Sequence, residues 1–415
     1  MIDADFRSLL PPTATATADG ITIGGVPLVA VAERFGTPSY VIDEQSLREQ
    51  IGSFRDALAR RWGAGRVHFA SKAFPTTAMY RVMAEEGIGV DVAGGGELHL
   101  ALRAGVRPDV ILLHGNAKTD EEISLALEAG VGLVVIDNFD DIDRLERLAP
   151  GRQSVLVRVR PDVVAPTHEA MATGHASSKF GLSIPDARRA IERITRSRHL
   201  GLEGLHVHIG SQISELAPFT HAVEALADLG EFDTYDLGGG LAARYTYGDH
   251  APSPDEWVET LTEAARRVLP AHARILLEPG RSVVARAGVT LYRVVTVKHG
   301  EPTFVAVDGG MGDNLDVSLY GQRFESAVVT RPSGGGPVDL VGRHCESGDR
   351  LVEGARLNDP RPGDLIVVAV TGAYCVTMAN NYNGARRPPV VFVRDGVATL
   401  RQRRETYEDL ASRDV

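Results

Sequence analysis

Lys72 offers the most reactive chemistry in the chain. It closes the apolar run Val67-His68-Phe69-Ala70-Ser71 and stands just before Phe74-Pro75. An amine at a buried strand end is costly unless it is paired or used. Desolvation there lowers its pKa and makes it a nucleophile toward an aldehyde cofactor; the alternative is an ordinary surface lysine at a strand edge. A second group of residues suits an anion. Asp236-Leu237-Gly238-Gly239-Gly240 follows one apolar run and Glu278-Pro279-Gly280-Arg281 another. Bare glycines let backbone N–H groups close on phosphate oxygens, and Arg281 adds a charged fork. Glu278 could face a pyridine nitrogen and keep it protonated, or form a structural ion pair with Arg281 or Lys179. His208 could lie flat on an aromatic ring with Ser211 turned to a phosphate, or be a satisfied core residue. His206 and His208 share a face at strand spacing. No Cys or carboxylate follows at ligand spacing, so no metal site is expected. Cys345 and Glu346 lie in a polar, Gly-flanked loop with His344 and Asp349, a setting that suits a working thiol rather than an inert one. Cys375 has the apolar context of a packing residue.

The elements that must position these residues recur along the chain. Eight short apolar runs end on Lys72, Asp91, His114, Asp137, Arg158, His208, Asp236 and Glu278. The first four intervals are 19, 23, 23 and 21 residues, about one strand and helix each; the later ones are 50, 28 and 42 and carry insertions. Continuous apolar runs suit parallel strands buried on both faces. Amphipathic stretches at 77–87, 96–105 and 120–130 each close on glycine as a helix C-cap. The pattern predicts an α/β fold, a (β/α)8 barrel whose polar strand ends converge on one rim; a doubly wound open sheet is the alternative. Beyond residue 286 short β-rich segments separated by Gly, Pro and Asp predict an all-β domain. The expected division is an N-terminal segment 1–40 joining that β domain, a barrel 41–285, and a β domain 286–415.

Bulk properties exclude several classes. The 415 residues are 43% hydrophobic and 24% charged, as in ordinary globular proteins. No apolar run approaches the roughly 20 residues of a membrane helix. The start of the chain lacks a basic and apolar leader, which predicts a cytoplasmic protein. Two cysteines are too few for a disulfide framework. A net charge of −11 argues against nucleic acid as a partner.

Taken in order, the motifs FASKAF (69–74), GVDVAGGGELHLAL (89–102), LHGNAKT (113–119), THEAMATGHASSKFGL (167–182), GLHVHIGSQI (204–213), DLGGGLA (236–242), EPGR (278–281), VDGGMGDN (307–314), LYGQ (319–322), GRHCESGD (342–349) and RPGDLIVVAVTGAYC (361–375) span nearly the whole chain. Together they resemble the pyridoxal-phosphate decarboxylases of the alanine-racemase fold, and within them the diaminopimelate decarboxylases, which make lysine from meso-diaminopimelate. The resemblance implies that Lys72 carries pyridoxal 5'-phosphate as an imine, His208 stacks on its ring and Glu278 pairs with its nitrogen. It implies that Ser211, Gly239, Gly240, Gly280 and Arg281 gather around the phosphate and the substrate end, with Tyr374 against the cofactor and substrate. It further implies a homodimer with shared sites, in which Cys345 and Glu346 enter from the second subunit and Cys345 protonates the product carbanion.

One position departs from the family pattern. Asp316 stands ahead of Leu319-Tyr320-Gly321 where the family carries an arginine that grips the distal carboxylate of diaminopimelate. Two carboxylates repel. Arg281, Tyr320 and Glu346 remain as expected substrate contacts, and Asp316 itself suits an amine, a hydroxyl or an amide. The alternative substrates are therefore ornithine, lysine or a carrier-tethered amino acid; otherwise a nearby arginine such as Arg323 takes over.

Overall fold

The computed structural model describes residues 2–163, 174 and 178–415. Most of the 167–182 motif lies outside the described residues. The chain forms two compact units, one of residues 50–242 and 251–282, the other of residues 1–49, 243–250 and 283–415.

The first unit is a barrel. Its strands are β1 (Gly65–Ala70), β2 (Gly89–Val92), β3 (Ile111–Leu113), β4 (Leu133–Ile136), β5 (Gln153–Val159), β6 (Leu200–Val207), β7 (Thr234–Asp236) and β8 (Arg274–Leu277). All neighbours pair in parallel, and β8 closes onto β1 through Ile275 opposite Gly65 and Leu277 opposite Val67. Closure decides against the open sheet. Among the described residues seven helices follow the first seven strands: α1 (Thr77–Glu85), α2 (Gly95–Arg103), α3 (Asp120–Ala129), α4 (Phe139–Leu148), α5 (Ile184–Arg196), α6 (Ala217–Glu224) and α7 (Pro254–Val268). Local sequence sets their ends. In α3, Thr119 and Glu122 form a reciprocal capping box and Gly130 ends the helix at φ 74°. Ser253 and Glu256 do the same at the start of α7. Inside the barrel Leu112, Val135, Leu156 and Leu276 form one buried cluster. β3 and β8 are not neighbours, so Leu112 and Leu276 can join one cluster only through the lumen. That plug leaves the strand C-termini as the polar rim.

The second unit is built on a nine-stranded sheet. Its long central strand Gly288–Lys298 pairs with Ser39–Asp43, Leu365–Val368 and Phe304–Val307. Ser39–Asp43 lies between Gly288–Lys298 and Val390–Arg394, and so belongs to this unit. The expected boundary at residue 40 therefore moves to residue 49, and residues 243–250, assigned to the barrel on sequence, also fall in this unit. Short helices accompany the sheet, among them Leu28–Phe35, Asp316–Tyr320 and Tyr407–Ala411. The segment around Ile21–Ile23 pairs in its own three-stranded sheet rather than the large one. Residues 15–17 pair with 20–22 across a short turn, and the Ile21 N–H donates to the Val329 carbonyl at 3.1 Å, which ties the hairpin to the rest of the unit.

Candidate active site

The barrel rim gathers the polar residues that close its strands. Glu278 follows β8 and is 6% exposed. Its Oε1 lies 2.6 Å from His114 Nε2 and its Oε2 lies 3.2 Å from His206 Nε2. Burial alone would raise the Glu278 carboxyl, but the two imidazoles outweigh it and hold it well below the usual carboxylate range. Asp236, at the end of β7, and Asp91, in β2, behave in the opposite way. Burial and then the charge of Glu278 push both well above the carboxylate range. Glu278 is thus favoured in its charged form, and Asp236 and Asp91 in their neutral forms. Burial also lowers His206 to about 4, so at neutral pH it serves as an uncharged donor.

His208 follows β6, two residues on. Burial, then the charges of Lys72 and Arg158, hold it well below its ordinary value. Its Nδ1 accepts the Gly239 N–H at 3.3 Å, which places its own proton on Nε2 and fixes the ring. Gly239 is bare because a Cβ there would lie 2.0 Å from the Glu278 carbonyl oxygen. The DLGGGLA turn and the Glu278 turn thus pass in backbone contact. Gly240 accepts the Ile213 N–H at 3.0 Å, and a Cβ on Gly280 would lie 2.7 Å from that of Ala70. Arg281 Nε donates to Ser211 Oγ at 3.3 Å, joining two of the residues expected at the phosphate.

Lys72 sits on a single 3-10 turn, Ser71–Ala73, directly after β1. Its charge acts on Asp91, Glu97 and His208. The lysine is exposed. Ser71, Ala73 and Phe74 are each 0% exposed, so the turn packs through these neighbours while Lys72 stays accessible. Ser71 N–H donates to Asp91 Oδ1 at 3.1 Å and ties the turn to β2.

Sequence reading missed the partners. His114 and Asp91 were seen only as strand ends and Asp236 as a strand end opening a glycine turn, although their shared strand-end position was the available signal. Arg158 and Asp137 pair at 3.1 Å beside them, and Arg158 stacks over Phe180 at 4.6 Å. His114, His206, Asp236 and Glu278 also bring atoms within 4.8 Å of one another, as a metal site would. Linear spacing could not reveal this, because each residue comes from a different strand. Both Glu278 oxygens already face imidazole nitrogens, which describes a hydrogen-bonded carboxylate as well as a ligand set.

The other expected site residues lie in the second unit. Cys345 and Glu346 are exposed on the 342–349 loop, and Tyr382 donates its hydroxyl to Glu346. Tyr374 is half-buried with a left-handed backbone, φ 67°, a conformation that side chains adopt at a cost. Tyr320 is half-buried on the helix Asp316–Tyr320. Asp316 opens that helix and is 1% exposed, so it is enclosed by its own unit. Arg323, exposed just beyond the helix, lines with Ser318, Gln322 and Glu325 a cavity of about 1390 Å³. Cys375 is fully buried, as a packing residue should be.

The rim fits pyridoxal phosphate. A buried carboxylate held in its charged form matches a protonated pyridine nitrogen, a fixed neutral imidazole matches the ring face, and an exposed amine matches the aldehyde. Residues 44–285 match the family model of the pyridoxal-dependent decarboxylases, pyridoxal binding domain. A diaminopimelate decarboxylase of Actinosynnema pretiosum subsp. auranticum is 47% identical, over 95% of this chain and 92% of its own. One of Bacillus subtilis is 42% identical over 95% of each. The solved structure of diaminopimelate decarboxylase from M. jannaschii in complex with L-lysine superposes with a TM-score of 0.92 at 29% identity, covering 98% of both chains.

Proposed function

We propose, for a chain that belongs to the pyridoxal-dependent decarboxylases and within them to the diaminopimelate decarboxylase family, that it releases carbon dioxide from meso-2,6-diaminopimelate to form L-lysine. The observation that carries this reading at the site is the Glu278 carboxylate clamped between His114 and His206 at the barrel rim. Pyridoxal phosphate, when bound, supplies an electron sink for the pair left by the departing carboxylate. Glu278 would hold the ring nitrogen protonated. His208 would cover one ring face, and Lys72 would anchor the aldehyde and be displaced by the substrate amine. Ser211, Gly239, Gly240, Gly280 and Arg281 would hold the phosphate and substrate end, and Tyr374 would close on the cofactor.

Cys345 would deliver the proton that replaces carbon dioxide on Cα. Cys345 and Glu346 stand exposed on their loop, as residues entering a second copy's site must. That supports a homodimer with shared sites, each cytoplasmic subunit completing the other. A second reading draws on Asp316, an acid where the family carries arginine; it favours a substrate whose distal end is an amine or a carrier-linked amide. Enclosure of Asp316 at 1% exposure favours the first reading. Carbon dioxide release from purified enzyme, measured against diaminopimelate, ornithine, lysine and carrier-bound amino acids, tests both. The first reading requires diaminopimelate to have the highest kcat/KM of the panel; a higher value for any other member overturns it.

A further inference from the structure

We propose that His344 and Asp349 form a buried anchor that positions Cys345 for proton delivery, an inference that rests on Cys345 being the proton donor. His344 Nδ1 lies 3.0 Å from Asp349 Oδ2, and the same oxygen accepts the His344 backbone N–H at 2.7 Å. The other carboxylate oxygen accepts the Met311 N–H at 2.6 Å. The two side chains are 1% and 2% exposed, whereas Cys345, Glu346, Ser347 and Gly348 between them are exposed. Burying a polar pair costs solvation; both Asp349 oxygens and His344 Nδ1 are matched by partners, while His344 Nε2 is buried without one among the described residues.

The socket is shaped for the pair. A Cβ on Gly310 would lie 2.5 Å from Asp349 Oδ2, and one on Gly312 would lie 2.6 Å from His344 Nε2. The motifs VDGGMGDN and GRHCESGD are therefore two halves of one device. Arg343 N–H to Gly309 carbonyl, 2.9 Å, stitches them together. On the opposite side the Cys345 N–H donates to Asn383 Oδ1 at 2.9 Å. The Tyr382 ring lies parallel to that of His344, 9° between planes, and its hydroxyl holds Glu346. The loop backbone is fixed on both flanks while the thiol faces outward.

A proton donor must sit within reach of the accepting carbon, and an error of about 1 Å costs up to about a hundredfold in rate. His344 and Asp349 act through Cys345 and are positioning residues. The test uses cofactor-loaded enzyme carrying His344→Phe, Asp349→Asn or Asn383→Gly. The last keeps a backbone suited to positive φ, removes only the acceptor, and lies at an exposed position, so it serves if the buried variants do not fold. Each should lose about tenfold to a hundredfold in kcat, with KM and the absorbance of bound cofactor unchanged and the solvent deuterium isotope effect increased. Added to Cys345→Ala, none should cost anything further. Unchanged kcat in folded variants, parallel changes in KM and cofactor absorbance, or losses that multiply with Cys345→Ala would each overturn the anchor. Full turnover in Cys345→Ala would instead remove the proton-donor reading on which it rests.

Discussion

His114 Nε2 and Glu278 Oε1 lie 2.6 Å apart, although 164 residues separate them in the chain. Barrel closure produces the meeting, since β3 and β8 each deliver one polar terminal residue to the same rim. The pair makes the buried carboxylate an anion despite burial, which is what a protonated ring nitrogen needs.

Removing that anion should disable the sink. Glu278→Gln keeps the shape and loses the charge, and kcat should fall by about a hundredfold or more. His114→Phe should cost less, because His206 still faces the carboxylate. Steady-state kcat at saturating cofactor checks both, and a His114→Phe loss exceeding that of Glu278→Gln would contradict the assigned roles.

Lys72 should be the covalent anchor. Borohydride reduction of the loaded enzyme followed by peptide mass mapping should place the cofactor on the peptide containing Lys72. Lys72→Ala should carry no label and show no turnover. Label on Lys118 or Lys179 would assign the chemistry elsewhere.

Behind the rim, Lys118 and Asp141 form a pair at 2.7 Å with side chains 2% and 0% exposed. Asp141→Ala would strand a buried ammonium and should destabilise the protein by about 3–5 kcal/mol. Lys118→Met in the same background should restore part of that loss. Urea unfolding midpoints measure both, and a neutral Asp141→Ala would show that the pair is dispensable.

His68 gives the pH dependence. Burial lowers its pKa from 6.5 to about 3, so the folded protein keeps it neutral while the unfolded chain takes up a proton. The unfolded state then binds more protons between pH 6.5 and about 3, and this histidine costs stability as pH falls through that window. The slope is about 1.4 kcal/mol per pH unit. Because other groups titrate there too, the measured quantity is the difference between His68→Gln and wild type. The variant should gain on the wild type steadily as pH drops from 6.5, and a pH-independent difference would refute the assignment.

The strand and helix order was legible because continuous apolar runs and glycine-ended amphipathic stretches are local signals. Lys72, His208, Glu278 and Cys345 drew notice for the same reason: each breaks its local pattern. The boundary near residue 40 was misplaced because Ser39–Asp43 owes its sheet to strands more than 240 residues away, and no local signal records that. Whether Lys72 would be desolvated or exposed was left open, since sequence does not say which way a short turn faces.

By itself, then, the sequence pointed to the barrel, to an amine at a strand end, to a cysteine in a polar loop and to the family resemblance, all of which depend on residue type and near-neighbour order. Only the tertiary structure decided that Glu278 is an anion held by two histidines, that Asp316 is enclosed, and that His344 rests on the glycines of 309–312. Charge state and enclosure depend on which distant groups remove water from a side chain, and that is fixed only when the chain closes on itself.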